Sequence, residues 1–105
     1  VKIAPDLAGA DLADVAALAR EGACDGVIVS NTTIRRPENL KGRHRGEAGG
    51  LSGEPLKPFA LETLRTMYRL TGGQVPLVGV GGIANGADAY ERIRAGASLV
   101  QVYTA

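Results

Sequence analysis

The stretch Val75-Pro76-Leu77-Val78-Gly79-Val80-Gly81-Gly82-Ile83 decides the fold. Its apolar run is continuous, as in a strand of a parallel sheet buried on both faces, and it breaks abruptly into glycines. Asn85 then offers a helix N-cap, and residues 86–97 carry apolar side chains at helical spacing. A strand that ends in Gly79-Val80-Gly81-Gly82 and feeds a helix suits an anion. Glycine lets the backbone approach closely, while free N–H groups and the helix dipole favour negative charge. The next strand, running from Leu99 to Thr104, places a second set of donors beside the first. Together the two strand ends read as a phosphate cradle.

Working outward, Val1 to Ala4 forms a short strand closed by Pro5 and Asp6. Asp11 is the expected cap of a helix that runs to Arg20, with Leu12, Val15, Ala16 and Ala19 on one face, and Gly22 stops it. Gly26 to Asn31 is a second buried strand. Residues 33–58 lack periodicity and hold many turn residues, and long loops of this kind tend to be functional. Phe59 to Leu70 is the second helix, with Ala60, Leu64 and Met67 aligned and Gly72-Gly73 ending it. The order is β-α-β-loop-α-β-α-β with every strand buried. Such an order requires parallel strands joined by right-handed helical crossovers. Four such units make either half of an eight-stranded (β/α) barrel or a small open α/β sheet.

With 105 residues the chain is one domain with a modest core. It begins without Met and inside a strand, and it stops just after another, so it reads as a piece of a longer chain. It shows no targeting or membrane-spanning run. The net charge of +1 gives no electrostatic reason to expect nucleic acid. Its single cysteine, Cys24, reads as a buried thiol beside a strand. His44 is the sole histidine, without an acid cluster beside it, so no metal site is expected.

In either fold, ligands sit at the carboxyl ends of the strands. Those ends offer Lys2, Ser30-Asn31-Thr32, Gly79 to Gly82, and Tyr103-Thr104. Gly79-Val80-Gly81-Gly82-Ile83-Ala84 formally matches the dinucleotide fingerprint, yet Gln101, Tyr103 and Thr104 stand where an acid for the ribose would be needed. A mononucleotide phosphate fits better. Lys2, set between Val1 and Ile3, is costly unless it faces a ligand, where it could stabilise negative charge on a reduced flavin or an enolate. Asn31 and Thr32 suit a small polar substrate, although Asn31-Thr32-Thr33 is also an ordinary turn. Lys41 to Arg45 is a basic patch whose plain reading is a solvated loop. The run from Gly49 to Gly53 reads as a loop with unusual dihedrals that folds over the ligand.

Five stretches, taken in order, closely resemble the dihydroorotate dehydrogenase family. They are Lys2 to Asp6, Val29 to Thr33, Gly49 to Gly53, Val78 to Gly82, and Gly96 to Ala105. The opening stretch and Gln101 to Thr104 resemble its quinone-using class 2 branch. The resemblance implies the C-terminal half of a TIM (β/α)8 barrel, with residues 1–105 a partial FMN-binding domain. The full-length enzyme would oxidise dihydroorotate to orotate in pyrimidine biosynthesis, pass electrons to a quinone and associate with an inner membrane, bacterial or mitochondrial.

By the same resemblance Lys2 contacts the flavin ring and Ser30 lies beside FMN. Ser52 and Gly81 are further flavin contacts, and Gly53, Gly82, Tyr103 and Thr104 receive the phosphate and ribityl chain. Asn31 and Thr32 hold the pyrimidine. The family's catalytic base, a serine, is expected upstream, so none of Ser30, Ser52 and Ser98 is assigned that role and the isolated segment is expected to be inactive. Another FMN- or phosphate-binding barrel enzyme, or a non-catalytic FMN-binding half-barrel, remains as an alternative.

Overall fold

The computed structural model describes residues 1–31, 33 and 54–102. Four strands, β1 (Lys2–Ile3), β2 (Val27–Val29), β3 (Leu77–Val80) and β4 (Leu99–Gln101), form one sheet in the order β1-β2-β3-β4. All three pairings are parallel, with Ile3 opposite Val29, Val29 opposite Gly79, and Gly79 opposite Val100. Three helices connect them: α1 (Gly9–Arg20), α2 (Lys57–Thr71) and α3 (Gly86–Ala95), with a 3-10 turn at Glu54–Leu56 ahead of α2.

Register decides which face the helices occupy. Residues paired in a parallel ladder share a face, so Ile3, Val27, Val29, Leu77 and Gly79 lie together. Four of these join Leu12, Ala16 and Ala19 of α1 and Leu64 and Met67 of α2 in the core. A Cβ on Gly79 would lie 3.3 Å from Arg92 Cβ and 3.5 Å from Ala97 Cβ, which puts α3 on the same face. Every helix therefore covers one face, whereas a doubly wound sheet carries helices on both. This wrapping selects the barrel over the open sheet. Lys2, Ile28, Val78, Leu99 and Gln101 occupy the opposite, inner face.

Several expectations need correction. Not every strand is buried: Leu99, on the inner face of the outermost strand β4, is 66% exposed. Asp11 does not cap α1; Ala8 holds the N-cap position with an extended backbone and no side-chain bond, and Asp11 lies in the first turn, where its charge complements the dipole. Helix α2 starts at Lys57 rather than Phe59, because Pro58 sits in the first turn, where a missing N–H breaks no bond. Gly72 ends α2 in the left-handed conformation, at φ 63°. Helix α3 stops at Ala95, two residues short of the expected end. Cys24 is half-buried at the margin of the core.

Candidate functional site at the strand ends

The carboxyl ends of β1, β2 and β3 converge through backbone hydrogen bonds. The Asn31 N–H donates to the Ile3 carbonyl at 2.7 Å, and the Ser30 N–H donates to the Val80 carbonyl at 3.1 Å. Ser30 is 1% exposed, and its hydroxyl donates to the Asn31 carbonyl at 3.0 Å. Asn31 is exposed. Beyond it the Thr33 hydroxyl donates to the Asp6 carboxylate, which ties this exit to the loop after β1. Lys2 lies exposed on the inner face, pointing away from the helices. Its premise changes accordingly, since this is not a buried lysine.

The exit of β3 is built differently. Gly81 and Gly82 have φ values of +105° and +70°, a region side chains rarely adopt. A Cβ on Gly82 would lie 2.6 Å from Lys57 Cβ and 2.8 Å from Lys57 N, so the turn rests on the start of α2. Among the described residues, no hydrogen bond occupies the N–H groups of Gly81 or Gly82. The chain then enters α3 through Asn85, whose side chain accepts from the Asp88 N–H at 2.9 Å as the sequence led one to expect.

Behind that turn lies a charged cluster that sequence reasoning missed. The Lys57 ammonium meets an Asp88 carboxylate oxygen at 2.5 Å, and the other oxygen accepts from the Ala84 N–H at 3.0 Å. Arg92 has no exposed surface; its guanidinium donates to the carbonyls of Val80, at 3.4 Å, and Gly81. The hydrogen bond from Lys57, then that from Ala84, holds the Asp88 carboxyl below its usual range, against the opposing effect of burial. Burial lowers the Arg92 pKa, and the charges of Glu91 and Asp88 oppose that shift. Asn85-Gly86-Ala87-Asp88, an N-cap followed three residues later by an acid, was the available signal for Asp88. No local pattern marks Lys57 as its partner.

The structure thus brings Ser30, Asn31, Gly81 and Gly82 to one end of the sheet, with Lys2 on the inner face of the adjoining strand. Thr32, Ser52, Gly53, Tyr103 and Thr104, together with the basic patch and the glycine-rich loop, lie outside the described residues. A separate cleft of about 410 Å³, lined by Arg65, Ala87, Tyr90, Glu91, Arg94 and Ala95, opens between α2 and α3 on the outer, helical side.

A singly wound parallel sheet with every helix on one face defines a (β/α)-barrel protein, whose ligands sit at the carboxyl ends of the strands. The family model for dihydroorotate dehydrogenase matches residues 1–105. A mouse protein named dihydroorotate dehydrogenase (quinone), mitochondrial, is 56% identical over 105 residues. A protein of Azorhizobium caulinodans named dihydroorotate dehydrogenase (quinone) is 59% identical over the same length. The crystal structure of DHODH from Eimeria tenella in complex with ferulenol superposes with a TM-score of 0.94 at 53% identity, covering 98% of this chain and 27% of that one. The chain belongs to the dihydroorotate dehydrogenase family. All of it is matched by the mouse and Azorhizobium proteins, but it spans only 27% and 30% of their respective lengths.

Proposed function

We propose that this chain is the C-terminal half of the catalytic barrel of a quinone-linked dihydroorotate dehydrogenase, oxidising dihydroorotate to orotate in pyrimidine biosynthesis. The observation that carries this reading is the end-to-end family match, with relatives named for the quinone enzyme at 56% and 59% identity. The donor set at the β3 exit fits the phosphate of FMN: two backbone N–H groups, unengaged among the described residues, on glycines that leave no side chain in the way. FMN held there would supply a two-electron acceptor for the substrate's hydride, with a quinone as the final acceptor.

This chain's own residues bind and orient. The Gly81 and Gly82 amides hold the phosphate, assisted by Gly53, Tyr103 and Thr104. Ser52 is a further flavin contact, Ser30 flanks the flavin, and Lys2 carries a positive charge on the inner face toward the flavin ring. Asn31 and Thr32 hydrogen-bond the pyrimidine, with the Asn31 backbone anchored on β1 and its side chain exposed at the strand end. The base that removes the substrate proton comes from another part of the full-length protein. Among the described residues no helix is long and apolar enough to cross a membrane, and attachment to an inner membrane is assigned to other segments of the enzyme.

The test is orotate formation by the full-length protein with a soluble quinone. Asn31→Ala is expected to raise the KM for dihydroorotate at least tenfold, since it deletes a substrate hydrogen bond, while the KM for quinone stays put. Unchanged dihydroorotate kinetics in Asn31→Ala would remove this residue from the substrate site and favour a barrel with another substrate.

A further inference from the structure

The most unusual group in the described residues is Arg92, a guanidinium with no solvent exposure. Arginine is almost never fully buried without a partner, and an apolar side chain of similar length would fill the same space at lower cost. Among the described residues its Nε has no hydrogen-bond partner, so the side chain is not held for the sake of full satisfaction. The two bonds it does make fall on consecutive carbonyls, those of Val80 and Gly81.

Those carbonyls belong to the peptide units whose N–H groups are the amides of Gly81 and Gly82. Both units are trans, and in a planar trans unit the C=O and N–H point in opposite directions. Holding the Gly81 carbonyl from the α3 side therefore turns the Gly82 N–H away from Arg92, while the Val80 carbonyl, which also accepts from the Ser30 N–H at 3.1 Å, fixes the Gly81 unit between α3 and the β2 exit. Positive charge on the carbonyl side also polarises each unit, which strengthens its N–H as a donor. Asp88 completes the arrangement from the side. Its carboxylate joins Lys57, whose backbone Gly82 abuts, to the Ala84 N–H at the end of the same turn.

We infer that Arg92 is a positioning residue that aims the Gly81 and Gly82 amides at the flavin phosphate from the buried side of the turn. This inference rests on the FMN reading above and adds a residue that touches neither cofactor nor substrate. It makes a selective claim: Arg92 governs recognition of the phosphate and leaves recognition of the ring system alone.

The experiment uses the full-length protein stripped of flavin, titrated with FMN and separately with riboflavin, which lacks the phosphate, and followed by flavin fluorescence. In Arg92→Met the affinity for FMN is expected to fall about tenfold or more, the scale of a lost hydrogen bond to a charged group, with riboflavin affinity unchanged. Arg92→Lys, which keeps the charge and one hydrogen bond, is expected to restore part of the preference. If Arg92→Met keeps the wild-type ratio of FMN to riboflavin affinity, whether or not both affinities fall, Arg92 is merely structural and the inference is overturned. If the wild-type protein itself binds FMN no more tightly than riboflavin, the phosphate reading fails and takes the inference with it. Should Arg92→Met not fold, Arg92→Gln, which retains a single donor in the same space, is read by the same ratio.

Discussion

Two neighbouring strand exits solve the same problem by different chemistry. After β2, the chain is held by neutral and singly charged hydrogen bonds, from Asn31 to Ile3, from Ser30 to Val80 and from Thr33 to Asp6. Its anchors are spaced so that the Asn31 side chain remains exposed. After β3, the chain is held by close packing on α2 and by Arg92 from behind, and it presents only backbone. An exit that offers side chains can be tuned residue by residue to a substrate. One that offers amides suits a phosphate, whose oxygens ask only for donors. The first is specified by what it displays and the second by what supports it.

The sharpest way to break this contrast is Gly82→Ala. The new methyl group would meet the α2 backbone at Lys57 while the residue is held at positive φ, so about 3 kcal/mol or more of stability should be lost, read as a fall in urea midpoint. A wild-type midpoint would show that the turn can leave α2. Next comes acid stability. The Asp88 carboxyl is held below its usual range in the folded protein, so its contribution is complete above the unfolded pKa and is lost as pH falls toward the folded one. Asp88→Asn should therefore lower the midpoint at neutral pH and flatten the dependence below about pH 4, the ordinary carboxylate range. An acid limb of unchanged slope would dismiss the Lys57 ion pair as its cause.

The β2 exit should respond more mildly. Thr33→Val removes the hydroxyl that donates to Asp6, at an expected cost of about 1–2 kcal/mol in denaturant unfolding. A loss as large as that of Gly82→Ala would erase the distinction between the two exits. Arg94→Ala sets the baseline. Arg94 stacks over Tyr90 at 6.0 Å in the outer cleft, remote from both exits, and its removal should change stability by less than about 0.5 kcal/mol. An effect on FMN affinity there would mean that α3 transmits changes from its outer face.

Legibility followed the range of the interactions concerned. The β3 run and the Asn85 cap were readable because each is fixed by residues within four positions. The start of α2 was misplaced because Pro58 marks a loop in most contexts yet fits a first helical turn. Asp11 looked like a cap, but α1 begins without a side-chain cap. Glycine at positions 81 and 82 announced a turn with free amides, since glycine's freedom is a local property. The partnership of Lys57 with Asp88 spans 31 residues, and a charged residue on a helix ordinarily reads as facing water. Arg92 was invisible for the same reason. What supports the glycine turn is non-local, and only the packing of α2 and α3 reveals it.

The sequential strand order has a further consequence for how such a chain is made. Each strand of the described sheet pairs with the one synthesised just before it, β2 on β1, β3 on β2 and β4 on β3. Among these four, no strand has to wait for a later one, and each new hydrogen-bonded edge is the template for the next. Within the four described strands, the sheet can therefore form in the direction of translation.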